Sequence, residues 1–89
     1  MKAVVTVVGR DTVGILAKVS TACAEHNANI IDVSQSVMQG LFTMFMLLDI
    51  SDITSDFSNL QNALSELGEK IGMKVLVMHE DIFNSMHTI

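Results

Sequence analysis

The chain has no proline, no tryptophan and no tyrosine, and it carries one cysteine and five basic side chains in 89 residues. Each shortage closes a class of function. A lone cysteine, Cys23, cannot form an internal disulfide, so a reducing compartment, the cytoplasm, is the expectation. Lys2, Arg10, Lys18, Lys70 and Lys74 are scattered along a chain of net charge −5. Nucleic-acid binders need a basic stripe to release counterions from phosphates. With no Tyr or Trp to stack on bases either, no nucleic-acid partner is expected. No apolar run approaches ~18 residues, so no membrane span is expected. The apolar part of residues 1–9 is too short for a signal-peptide core.

What remains is strongly apolar. Hydrophobic residues make up 49 % of the chain and charged residues 17 %, too apolar for a disordered tail. There is no linker and no low-complexity stretch, so residues 1–89 are expected to form one domain. A domain this small buries roughly 60–65 % of its unfolded surface, which makes stability marginal and an oligomer reasonable. The excess of apolar residues leaves greasy surface for a partner.

The hydrophobic pattern predicts six elements and a tail. Lys2 to Val8 reads as a central strand. Ile15, Val19, Ala22, Cys23 and His26 form one helical stripe, with Asp11 or Thr12 as N-cap and Asn27 or Asn29 as the stop. Ile30 to Met38 alternates, with Ile31, Val33, Gln35 and Val37 on one face, as in a half-exposed strand. Gln39-Gly40 turns it into an antiparallel partner, Leu41 to Ile50. Ser51 to Thr54 offers loop and N-cap chemistry. Phe57, Leu60, Leu64, Leu67 and Ile71 mark a second helix, with Gly72 at its C-cap and Gly68 as a weak spot costing ~1 kcal/mol against Ala. Met73 to His79 is the last strand. In the tail, residues 80–89, Ile82, Phe83 and Met86 fall together on a short helix. The order β-α-β-β-α-β implies a ferredoxin-like α+β sandwich, a four-stranded antiparallel sheet with two helices on one face.

Chemistry concentrates between the first strand and the first helix. The stretch Gly9 to Val19 places a glycine-containing loop before a helix whose first N–H groups have no partner. Those donors and the helix dipole favour an anion such as a carboxylate. Gly14 admits close approach of a ligand to the backbone. Asp11 is suited to hold an ammonium, or simply to cap the helix. Asn29 offers both donor and acceptor, or simply ends the helix.

These residues carry a resemblance. Asp11-Thr12-Val13-Gly14-Ile15-Leu16-Ala17-Lys18-Val19, followed by Ala24-Glu25-His26-Asn27-Ala28-Asn29-Ile30-Ile31, resembles the ACT domain, a small-molecule regulatory module. Gly9, Asp11, Gly14 and Ile15 fit the Gly-x-Asp-x-x-Gly-Ile form of glycine-cleavage-repressor-like members. The tail from Glu80-Asp81-Ile82-Phe83 to Ile89 is similar to that of small stand-alone ACT proteins of bacteria and archaea. Thr12-Val13 stand where Arg-Pro is common in the family, and without proline the loop is less constrained. The resemblance implies a homodimer that binds an amino acid or related carboxylate at its interface. The loop of one subunit would supply Asp11, Gly14, Ile15 and Leu16, and the second strand of its neighbour Asn29 and Ile30. It implies a regulatory role towards an enzyme or regulator, without catalysis or cofactor. The open sheet edges and the tail residues Ile82, Phe83 and Met86 would serve dimerisation.

Three other readings share this fold order. A protein-interaction module would use the sandwich and leave the loop structural. An acyl-phosphate hydrolase would use Arg10 as a phosphate clamp, but the glycine-rich pattern around such an arginine is absent. A copper chaperone would need a Cys-x-x-Cys pair, whereas Cys23 lies on an apolar stripe and Met44, Met46, Met73 and Met78 read as core fillers. His79, Glu80 and Asp81 could hold a divalent metal, although a solvated strand end explains them more simply. No nucleophile–base set is visible.

Overall fold

The computed structural model describes residues 1–86. Its elements are β1 (Lys2–Arg10), α1 (Ile15–Glu25), β2 (Asn29–Met38), β3 (Leu41–Asp49), α2 (Phe57–Ile71), β4 (Met73–His79) and a short C-terminal α3 (Glu80–Met86). The four strands form one antiparallel sheet in the order β2-β3-β1-β4. This is the ferredoxin-like sandwich that the hydrophobic pattern implies.

β1 is central, as its continuous apolarity requires. Val5 lies opposite Met46 on one side and Val77 on the other; Val7 lies opposite Met44 and Val75. These residues point to the helix-covered face. There they meet Ile15, Val19 and Cys23 of α1 and Leu60 and Leu64 of α2 in a single core. The helical stripes are therefore the ones that the three- and four-residue spacing marks.

Turn residues sit where the backbone demands them. Gln39 (φ 51°) and Gly40 (φ 83°) both adopt the left-handed conformation that a tight β2–β3 hairpin needs. Asn27 (φ 59°) ends the corner after α1, and its side chain donates to the Asp52 carbonyl at 2.8 Å. Asn29 is already strand, so it plays no part in stopping the helix.

Three local expectations are corrected. Neither Asp11 nor Thr12 caps α1: the N-cap is Gly14, with no side-chain cap bond. The cap of α2 lies beyond Thr54, at Asp56, again without a side-chain bond. Ile31 does not share the face of Val33. Ile30 pairs with Leu48 and Asp32 with Leu47, so Ile31 is the extra residue of a bulge and turns outward. Phe83 also packs within the chain, its ring meeting Phe45 edge-on at 6.1 Å on the sheet. The tail residues His87 to Ile89 lie outside the described residues.

Gly68 is a closer constraint than its helix propensity implies. A Cβ there would lie 2.6 Å from Val75 Cγ2 and 2.8 Å from the Met73 carbonyl oxygen. The missing side chain lets α2 settle onto β4. Alanine normally gains ~1 kcal/mol over glycine inside a helix. Here the clash with backbone oxygen wins, because overpacking costs ~1–3 kcal/mol. Gly68→Ala is therefore expected to lower the urea unfolding midpoint, and a raised midpoint would show that α2 does not need this close approach.

Candidate functional site

The loop from Asp11 to Gly14 leaves the end of β1 and enters α1 at Ile15. Gly14 has φ 87°, a left-handed conformation that costs a side-chain-bearing residue ~1–2 kcal/mol. The first helical bond is donated by the Lys18 N–H to the Gly14 carbonyl at 3.0 Å. The amides of Ile15, Leu16 and Ala17 precede it and have no acceptor within the helix. No acidic side chain occupies the first turn and no side chain caps it.

The side chains divide the work. Ile15 is buried in the core and can offer a ligand only its backbone. Leu16 is at the margin of exposure, and Val13 is 92 % exposed. Asp11 is exposed, and its backbone N–H donates to the Gly40 carbonyl at 2.8 Å, tying the loop to the β2–β3 hairpin. Lys18 was not among the residues singled out from the sequence. Its Cε lies 3.9 Å from the position a Cβ on Gly14 would take, so its stem runs beside the loop. The i+4 spacing from Gly14 is the signal that would have found it. Arg10 and Lys18 thus bring positive charge to an end where the helix dipole is also positive.

Asn29 and Ile30 are not brought to this loop. The register places Asn29 opposite Asp49, and Asp49 opposite Lys2. At the other end Met38 lies opposite Leu41, and Leu41 opposite Arg10. The length of β1, roughly 25–30 Å, separates the two groups. Asn29 lines a recess of about 250 Å³ with Ala24, Asn27 and Ala28 at the α1–β2 corner. Ile30 is half-buried beside it, pointing to the core. Within one chain the six residues fall into two separate groups, Asp11 with Gly14, Ile15 and Leu16, and Asn29 with Ile30.

The remaining chemical candidates have structural roles. His79 stacks on Phe57, ring centroids 4.1 Å apart. Among the described residues no group of three His, Cys, Asp or Glu side chains is placed to hold a metal. Arg10 is the exposed last residue of β1. Among the described residues no helix is long and apolar enough to cross a membrane.

Comparison with known proteins decides the family. The sequence matches the ACT domain over residues 2–78. The chain belongs to the ACT-domain family. It is 55 % identical to a UPF0237 protein of Methanococcus maripaludis over 86 residues, covering 97 % of this chain and 96 % of the relative. The structure of an ACT domain protein from Streptococcus pneumoniae superposes with a TM-score of 0.81 at 41 % identity, over 93 % of both chains. A putative glycine cleavage system transcriptional repressor is similar at TM-score 0.76 and 26 % identity, over 86 % of this chain and 44 % of that one. ACT domains are regulatory ligand-binding domains, and the fold and family of this chain are theirs.

Cys23 is a core residue of this ACT domain. Burial pushes its thiol from an ordinary 9.0 up to about 11, because a thiolate there would be poorly solvated. Thiolate is the reactive form. Cys23 should therefore resist iodoacetamide at pH 8 in the native protein and react at once in denaturant. Rapid native alkylation would mean that the α1 stripe is open to solvent.

Proposed function

We propose that this ACT domain is a sensor that binds an amino acid or related small carboxylate between two copies of the chain, and that it regulates another protein without catalysing a reaction. The observation that carries this reading is the separation of the two groups to opposite ends of one sheet. β2 is an exposed edge strand of ten residues. Edge strands are commonly protected by lysine or proline. β2 has neither, and only the Ile31 bulge and Asp32 interrupt it.

Antiparallel pairing of two such edges about their centre is self-complementary. It reverses strand direction across the seam. Asn29 of the partner subunit then comes to the end where this chain carries Met38, the Gln39-Gly40 turn and the loop hydrogen-bonded to it. Each two-fold seam completes two sites. In each, a ligand carboxylate meets the Gly14, Ile15 and Leu16 amides with Lys18 nearby. Its ammonium meets Asp11 or Asn29 of the partner subunit. Charge-assisted bonds of this kind are the strong ones. The likeness to a putative glycine cleavage system transcriptional repressor supports a regulatory role close to amino-acid metabolism.

A thermal-melt screen against the twenty amino acids and a few 2-oxo acids tests the proposal. A ligand at a hundred times its Kd adds about 2.7 kcal/mol, which moves the melting temperature of a domain this size by several degrees. One or a few related amino acids are expected to give such a dose-dependent rise. Asp11→Ala is expected to remove the rise while leaving the ligand-free melt within a degree or two, since Asp11 caps nothing. If no amino acid or 2-oxo acid shifts the melt at millimolar concentration, the chain is an interaction module with a structural loop.

A further inference from the structure

The sheet has a second face, opposite the two long helices, and α3 covers only half of it. Strand pairing sets Phe45, Thr6 and Leu76 in one row across this face. Towards the Arg10 end the described residues leave the sheet uncovered. Leu41, Phe45 and Leu76 are 40–50 % exposed there. Towards the Lys2 end α3 stands proud of the sheet, with Phe83 against Phe45 over a recess that includes Val4 and Leu47. Ile82 and Met86, four residues apart and so on one side of α3, are 51 % and 65 % exposed. The face is a step, with one raised half and one flat half, both apolar.

Charge follows the step. At the flat end the exposed cations Arg10 and Lys74 outnumber the exposed Asp11. At the raised end Asp32, Asp49, Glu80 and Asp81 outnumber Lys2 and the amino terminus. A two-fold axis in the plane of the sheet and across its strands lays raised half on flat half and acidic end on basic end. An axis along the strands would instead set α3 on α3 and like charge on like charge. Shape and charge select the same arrangement.

We infer that this face binds a second copy of the chain through the crosswise two-fold contact. Ile82 and Met86 of each α3 settle on the Leu41–Leu76 half of the other copy, and Lys74 meets the acidic start of the opposite α3. The contact uses neither the loop nor the β2 edge, so it does not rest on the ligand reading. With a β2 seam it makes a tetramer, and without one a dimer.

Sedimentation equilibrium of the full chain tests this. Leu76→Glu brings two carboxylates together at the row through which the axis passes, on a side chain already half exposed. Its association constant is expected to fall about tenfold or more, dropping the assembly by one two-fold step, with an unchanged circular-dichroism spectrum. Ile82→Asp should do the same from the raised half. Lys74→Glu and Asp81→Lys should each weaken association, and the two together in one chain should restore it. A wild-type chain that stays monomeric at high micromolar concentration overturns the inference. So does a mass that neither Leu76→Glu nor Ile82→Asp changes, or a charge-reversed pair that stays as weak as its single variants. In all of these variants the melt shift with an amino acid should persist, which separates this surface from the ligand site.

Discussion

Pairing of β1 to β3 on one side and to β4 on the other fixes the face and the end of the sheet that most other residues occupy. Val5 and Val7 commit the odd positions of β1 to the core. That alternation sends Thr6, and with it Phe45 and Leu76, to the opposite face. A one-residue slip would exchange the two sets, and the helix face could not accept it, because Met44, Met46 and Leu48 are fully buried there. The register is therefore held by core packing, and the two surfaces proposed to be functional are set by it. One is the loop end with Asp11 and Gly14. The other is the half-covered outer face.

Much of this was legible from periodicity. The α1 and α2 stripes, the Gln39-Gly40 hairpin, the Gly72 cap and the central place of β1 all follow from local spacing and turn chemistry. What local spacing does not hold is any quantity set by a neighbour in space. Ile31 breaks its alternation because Ile30 and Asp32 take consecutive partners on β3, a fact about pairing. Gly68 looks like a flaw in a helix until Val75 and Met73 are seen across the gap. Asp11 has the right chemistry for a cap, but the chain turns at Gly14 instead, which leaves the carboxylate uncommitted.

The candidate site shows the same boundary more sharply. The residue types were legible: a glycine that tolerates φ 87°, amides at a helix start, and an acid and an amide of suitable chemistry. That Asn29 and Ile30 stand at the far end of the sheet was not, since the sequence gives no register. The distance follows from strand pairing alone. That pairing gives a physical distance to the division between loop and neighbouring strand that the family resemblance implies. Lys18 escaped notice because its i+4 spacing from Gly14 becomes a signal only once Gly14 is known to start the helix.

The loop differs from the common family form in having Thr12-Val13 where Arg-Pro is usual, so proline does not hold its shape. Its anchor is instead the 2.8 Å bond from the Asp11 amide to the Gly40 carbonyl. That bond joins the ligand loop to the turn from which the β2 edge runs back. In the proposed assembly a ligand that orders the loop also steadies the hairpin and hence the strand that pairs with the second copy. Binding and association then draw on the same interactions and must favour one another by linkage. A domain of 89 residues has little stability to spare. In such a chain, coupling a metabolite to assembly needs no large conformational change. It needs only that the ligand bridge two halves of a site that the proposed assembly brings together from different copies.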